Sequence, residues 1–326
     1  TVPSEPSGRA TNASLCSLPR SRVPAKPLPI SKPLLAGSDS MAPASWASAL
    51  PNTGSPQPAG QPRTTQATTP GGGGAGLTDL RDPRQLSLAF RKLAWSMDDT
   101  LSFWWLRGVR YGMRGAVATP FWDMHVGLWF RTRDIGNDRY EVLRASANFY
   151  TPVGESSLLE QFANPFTGQT LPVRYAPPRR VTQTYALDGR GPTRETVPGM
   201  NGTTLATIGP AWLEGDEIAI QGDVMLRNEP AAAGQRAFNV NDWSTYVGSW
   251  REVRDPAIRN PAAAQTFTDV LDFPAWLQMG DTQGTFVSRC YGRKVTRYED
   301  MPAIWRRHFE ARFPDVARNP AALLSG

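Results

Sequence analysis

Three runs between Leu101 and Tyr150 alternate apolar and polar residues with a period of two, which fits half-buried β-strands and no helix. The first, about Thr100 to Tyr111, sets Leu101, Phe103, Trp105, Val109 and Tyr111 on one face and Ser102, Trp104, Leu106 and Arg110 on the other. The second, about Phe121 to Arg131, alternates Trp122, Met124, Val126, Leu128 and Phe130 with Phe121, Asp123, His125, Trp129 and Arg131. The third follows the turn Gly136-Asn137-Asp138 and alternates Tyr140, Val142, Arg144, Ser146, Asn148 and Tyr150 with Leu143, Ala145, Ala147 and Phe149. If the second and third runs pair as a hairpin, their polar and aromatic faces can coincide.

Strand signals continue at Val181 to Leu187, Thr203 to Ile208, Ile218 to Leu226 with Gly222 as a candidate bulge, Phe238 to Arg251, Thr266 to Phe273 and Gly284 to Lys294. Many short strands without strand-helix alternation argue for a sandwich or barrel and against a doubly wound sheet. A closed or nearly closed barrel also removes exposed edges. Asp82-Pro83 opens a helix whose Leu86, Phe90, Leu93, Ala94 and Met97 form one apolar stripe, suited to plug or cover one end. Near the other terminus Asp300 is a candidate cap, with Pro302 in the first turn, Ile304, Trp305, Phe309 and Phe313 on one face, and Pro314 as the stop. The predicted fold is mainly β: an antiparallel barrel, calycin or lipocalin-like, with a short helix before it and a C-terminal helix.

Residues 1–77 have a different composition. They hold thirteen prolines, nine glycines and a single aromatic residue, Trp46, too little apolar surface to offset the entropy of ordering. The expectation is a disordered tail ending in the tether Gly71 to Gly74, then one β-barrel domain over 78–326. Six basic and two acidic residues give the tail +4 of the net +6, leaving the body near balance at +2. A basic tail without interleaved aromatics is a weak grip for single strands, so nucleic acid is an unlikely partner. Two cysteines, Cys16 and Cys290, offer no zinc spacing, and no apolar run is long enough for a transmembrane helix. The sequence as given shows no leader. The expected location is periplasmic or secreted if one has been removed, and cytoplasmic otherwise.

Motifs for nucleotide, nicotinamide and metalloprotease chemistry are missing, as is a nucleophile elbow, so no cofactor or metal is expected. What stands out is an aromatic wall with a few polar groups. His125, with Asp123 on the same strand face, is a candidate general base, raised in pKa by the carboxylate; the plainer reading is a solvated or core histidine. Arg144 and Tyr150 would steady an oxyanion, and Arg107, Arg110 and Arg131 are further candidates to grip a carboxylate or phenolate. Trp104, Trp105, Tyr111, Trp129 and Asn148 would line the site, with Trp243, Tyr246 and Trp250 as a second wall. For most of the aromatics, core packing is the competing role. Cys290 reads as inert core, and Asp272, Asp281 and Asp300 as structural. The function expected is a barrel for a hydrophobic aromatic or polycyclic small molecule, with cofactor-independent lyase or isomerase chemistry. The alternatives are a carrier of such a ligand, or an exported interaction protein with a filled core.

WWLRGVRYG, NFYTPVGESSLLEQFANPFTGQTLPV and DFPAWLQMGDTQGTFVSRCYGRKVTRYEDMPAIW together resemble the uncharacterised "domain of unknown function 1838" family of bacteria and fungi. The resemblance covers about residues 80–315 and none of the tail. It implies a shared fold, and export leaders in many members, but it carries over no catalytic residue, cofactor or substrate.

Overall fold

The computed structural model describes residues 77–191, 200–230 and 238–325. The expectation of a disordered tail and glycine tether therefore lies outside the described residues, apart from Leu77. Among the described residues, nine antiparallel strands form one curled half-barrel sheet: β1 (Ser102–Arg114), β2 (Val117–Gly136), β3 (Arg139–Thr151), β6 (Val181–Ala186), β7 (Met200–Glu214), β8 (Glu217–Pro230), β9 (Phe238–Ser249), β10 (Ala263–Asp272) and β11 (Thr285–Val295). Their order is β6-β3-β2-β1-β11-β10-β9-β8-β7. Two short strands, β4 (Gln161–Ala163) and β5 (Thr170–Pro172), make a separate hairpin around the Asn164-Pro165-Phe166-Thr167-Gly168 turn. Among the described residues, the ends of the large sheet meet at one bridge, Arg190 with Thr207, flanked by backbone bonds from Gly191 N to Ala206 O and Ile208 N to Gly189 O. The barrel expectation holds in this form, a half-barrel whose edges touch. Asn137 and Asp138 both adopt positive φ, as a tight twisted hairpin between β2 and β3 requires.

The concave face is closed at each end. Helix α1 (Pro83–Ala94) starts as its sequence predicts, with Asp82 accepting a hydrogen bond from the Arg84 amide at 2.9 Å. It buries Ala89, Phe90, Leu93 and Ala94, each large side chain contributing about 2 kcal/mol. Phe90 packs edge-on to Tyr246 at 5.3 Å and fills the space that a side chain at Gly222 would need. Gly222 is thus a contact glycine. The bulge lies opposite it in β7, between Ile208 and Ala211. At the far end Phe121, Trp122, Phe162, Trp276 and Phe286 form an aromatic cap. A second register shift, opposite Arg110/Tyr111, turns Phe121 into this cap and away from the face shared by Asp123 and His125.

The convex face of β1 to β3 is covered by the C-terminal segment, chiefly α3 (Ala303–Arg312), followed by α4 (Pro314–Arg318). Trp305 and Phe309 stack at 4.5 Å over Phe103, Trp129, Ala145, Ala147 and Phe149. Gly127 makes this approach possible, because a Cβ there would fall inside the Trp305 indole. Asp300 does not cap α3: it pairs with Arg297 at 3.0 Å, and Pro302 takes the cap position without a side-chain hydrogen bond.

Candidate functional site

Between the α1 plug and the aromatic cap, the concave face carries a belt of polar side chains. Arg110 on β1 donates from Nη1 to Asp269 Oδ1 on β10 at 2.7 Å, with both residues more than nine-tenths buried. The same oxygen accepts the Ser288 amide at 2.8 Å. Asp242 on β9 stands directly across the ladder from Asp269, so two buried carboxylates share one row with Arg110. The Arg110 guanidinium also lies 4.3 Å above the Phe286 ring. Arg110 Nε, Ser288 Oγ, Asn148 Oδ1 and Trp122 Nε1 have no hydrogen-bond partner among the described residues. Polar atoms left unpaired in an apolar interior are costly, so these four set the belt apart from the surrounding core.

Tyr150 stands beside this group, its ring 5.3 Å from Trp122. Burial raises its phenol, while Arg110 and the Asn148 side chain pull it partly back, so it remains a protonated donor at neutral pH. Burial pushes the Cys290 thiol up to about 12, which removes it as a nucleophile. Gln265 completes the belt, donating to Ser244 Oγ at 3.0 Å. Asn148, Val224, Tyr246 and Phe267 share this side of the sheet and are only half-buried.

His125 lies on the other side of the sheet. It is 3% exposed, and its Nε2 sits 3.2 Å from Thr151 Oγ1. Burial lowers its pKa to about 4, Arg107 adds to the fall, and Asp123 recovers only part. The expected rise is reversed, because Asp123 is engaged by the Gly154 amide at 2.9 Å and desolvation outweighs its field. A cleft of about 150 Å³ opens here, lined by Trp105, Arg107, His125, Tyr291 and the first turn of α3.

The predicted constellation is therefore divided between two faces. The ladder pairs His125 with Phe149 and Asp123 with Thr151, so Asn148 and Tyr150 turn inward with Arg144. His125 and Asp123 do not converge with Arg144 and Tyr150, since a pairing offset of one residue sends neighbours through opposite faces. Trp104, Arg144, Asn148, Tyr150 and Tyr246 belong to the inner side, and Trp104 spends its indole N–H on Ala94 O at 2.7 Å. Trp105, Arg107, Tyr111, Trp129 and Trp243 belong to the outer side, where Trp129 is sealed under Phe309 and Trp243 is 43% exposed. Trp250 begins the short helix α2 (Trp250–Arg254) and packs against the inner core. The predicted wall of Trp243, Tyr246 and Trp250 is thus also split. Asp242, Asp269 and Ser288 were missed as site residues. The signal for Asp269 was an acid in phase with Phe267 and Leu271 on the apolar side of its strand.

Fold and interior together define a small antiparallel β half-barrel with a buried polar belt. The family model described as "Protein of unknown function (DUF1838)" matches residues 121–325, and the chain belongs to that family. Among curated proteins and among solved structures, nothing matches the chain.

Proposed function

We propose that the half-barrel binds a hydrophobic, aromatic or polycyclic small molecule and acts on it by acid-base chemistry at the inner belt, as a cofactor-independent isomerase or lyase. The observation that carries this reading is the row Asp242, Asp269 and Arg110 beside Tyr150, with unpaired polar atoms around it and aromatic side chains at the cap. Facing carboxylates with a guanidinium and a phenol supply a base, an acid and an oxyanion clamp within one apolar enclosure. In such a site one carboxylate takes a proton from a carbon next to a carbonyl. Arg110 and Tyr150 hold the resulting enolate oxygen, and the proton is returned at a different carbon. His125, on the convex face, has no part in this step.

The test is mass spectrometry of a library of aromatic and polycyclic ketones and phenols incubated with the full chain, and with its Tyr150→Phe and Asp269→Asn variants. Conversion of a compound by the parent, reduced in Tyr150→Phe by about ten- to a thousandfold, is the expected result. Tyr150→Phe keeps the ring and so keeps the fold even where Asp269→Asn loosens Arg110. Retention of a compound without conversion would replace the enzyme by a carrier. Neither retention nor conversion would overturn both and leave the interaction protein.

A further inference from the structure

We propose that the cleft on the convex side, between β1, β2, β11 and the first turn of α3, is a second binding site, for a planar aromatic monocarboxylate of about one ring. Its floor is a cross-strand row, with Arg107 paired to Tyr291 on β11 and to His125 on β2. Its volume, about 150 Å³, suits one benzene-sized ring.

The walls select for flatness. Trp105 and Tyr291 meet edge to face at 5.9 Å, and Trp305 forms the opposite side. The Trp305 indole N–H is already spent on Ala147 O at 2.9 Å, which leaves an apolar ring surface towards the cleft.

The charge selects for an anion. Arg107 is exposed at the cleft, and its guanidinium makes no ion pair or hydrogen bond with any described residue. Among the described residues none that lines the cleft is acidic, and the nearby Asp123 is occupied by the Gly154 amide. The first turn of α3 has neither an acidic residue nor a side-chain cap, so its amides add to the positive field. A guanidinium offers two parallel donors, the geometry a single carboxylate accepts. His125 meets the ligand as a neutral imidazole, fixed in orientation by Thr151.

The site lies across the sheet from the inner belt and does not depend on chemistry there. Calorimetric titration of the full chain with benzoate and with benzyl alcohol tests it, in the parent and in Arg107→Gln and Tyr150→Phe. Benzoate is expected to bind one to one, and benzyl alcohol about tenfold or more weaker. Arg107→Gln changes an exposed side chain, so circular dichroism should show the fold intact, and it should remove about tenfold of the benzoate affinity and most of its salt sensitivity. Tyr150→Phe should leave benzoate binding unchanged. The proposal is overturned by absence of saturable benzoate binding, by equal affinity for the two probes, by binding that survives Arg107→Gln, or by binding lost in Tyr150→Phe.

Discussion

At the residue scale, His125 couples burial to pH. Its imidazole is lowered from 6.5 to about 4 in the native state, so between those values the unfolded chain binds a proton that the folded chain refuses. No penalty exists above about pH 7. It grows as the pH falls through 6.5 and is complete below 4, reaching on the order of 3 kcal/mol. His308 acts in the same direction, lowered by burial and by Arg307, with Nε2 3.1 Å from Ser156 O. In urea unfolding at pH 7, 5.5 and 4, His125→Gln should therefore lose less stability on acidification than the parent. Equal slopes would show that the imidazole is not held neutral. The sequence placed His125 and Asp123 correctly on one strand face. It could not reveal that the C-terminal helices would bury that face, because desolvation comes from residues nearly two hundred positions away.

Elements show the same division between local and distant information. The alternation in β1, β2 and β3 is a local property, and the strands formed where it predicted them. Strand register is not local. The shift opposite Arg110/Tyr111 that carries Phe121 inward, and the pairing of His125 with Phe149, depend on the partner strand. Helix α1 illustrates a contact of this kind with a measurable energy. Lys294, on β11, is 6% exposed, and its ammonium donates at 2.8 Å to both Lys92 O and Trp95 O, carbonyls at the end of α1. A cation there satisfies orphaned carbonyls and complements the helix dipole. Burial lowers the Lys294 pKa well below its ordinary value, yet the nitrogen can donate to both carbonyls in either protonation state. Lys294→Met keeps the stem and removes the donors, so it should cost about 2–4 kcal/mol in chemical unfolding, with α1 protected least from hydrogen exchange. A cost below about 0.5 kcal/mol would mean that the plug is held by Phe90 and Leu93 alone.

For the whole molecule, the sheet is a wall with two furnished sides. Arg107 and Arg110 leave the same strand in opposite directions, one to the convex cleft and the other to the inner belt. Coverage of the convex side is unequal. The C-terminal helices shield β1 to β3, but Leu205, Trp212 and Trp243 on β7 and β9 are 55%, 51% and 43% exposed. This asymmetry has a spectroscopic consequence. Trp95, Trp104, Trp122, Trp129 and Trp305 are sealed in apolar surroundings and should emit in the blue, out of reach of ionic quenchers. Trp212 and Trp243 face water. The difference in fluorescence between the parent and a Trp212→Phe, Trp243→Phe double variant should therefore be red-shifted and quenched by iodide. Of the emission that remains, Trp95, Trp104 and Trp122 report on the interior of the half-barrel, and Trp105, Trp129 and Trp305 on the convex side, so a ligand on either side has indoles beside it to give an optical signal.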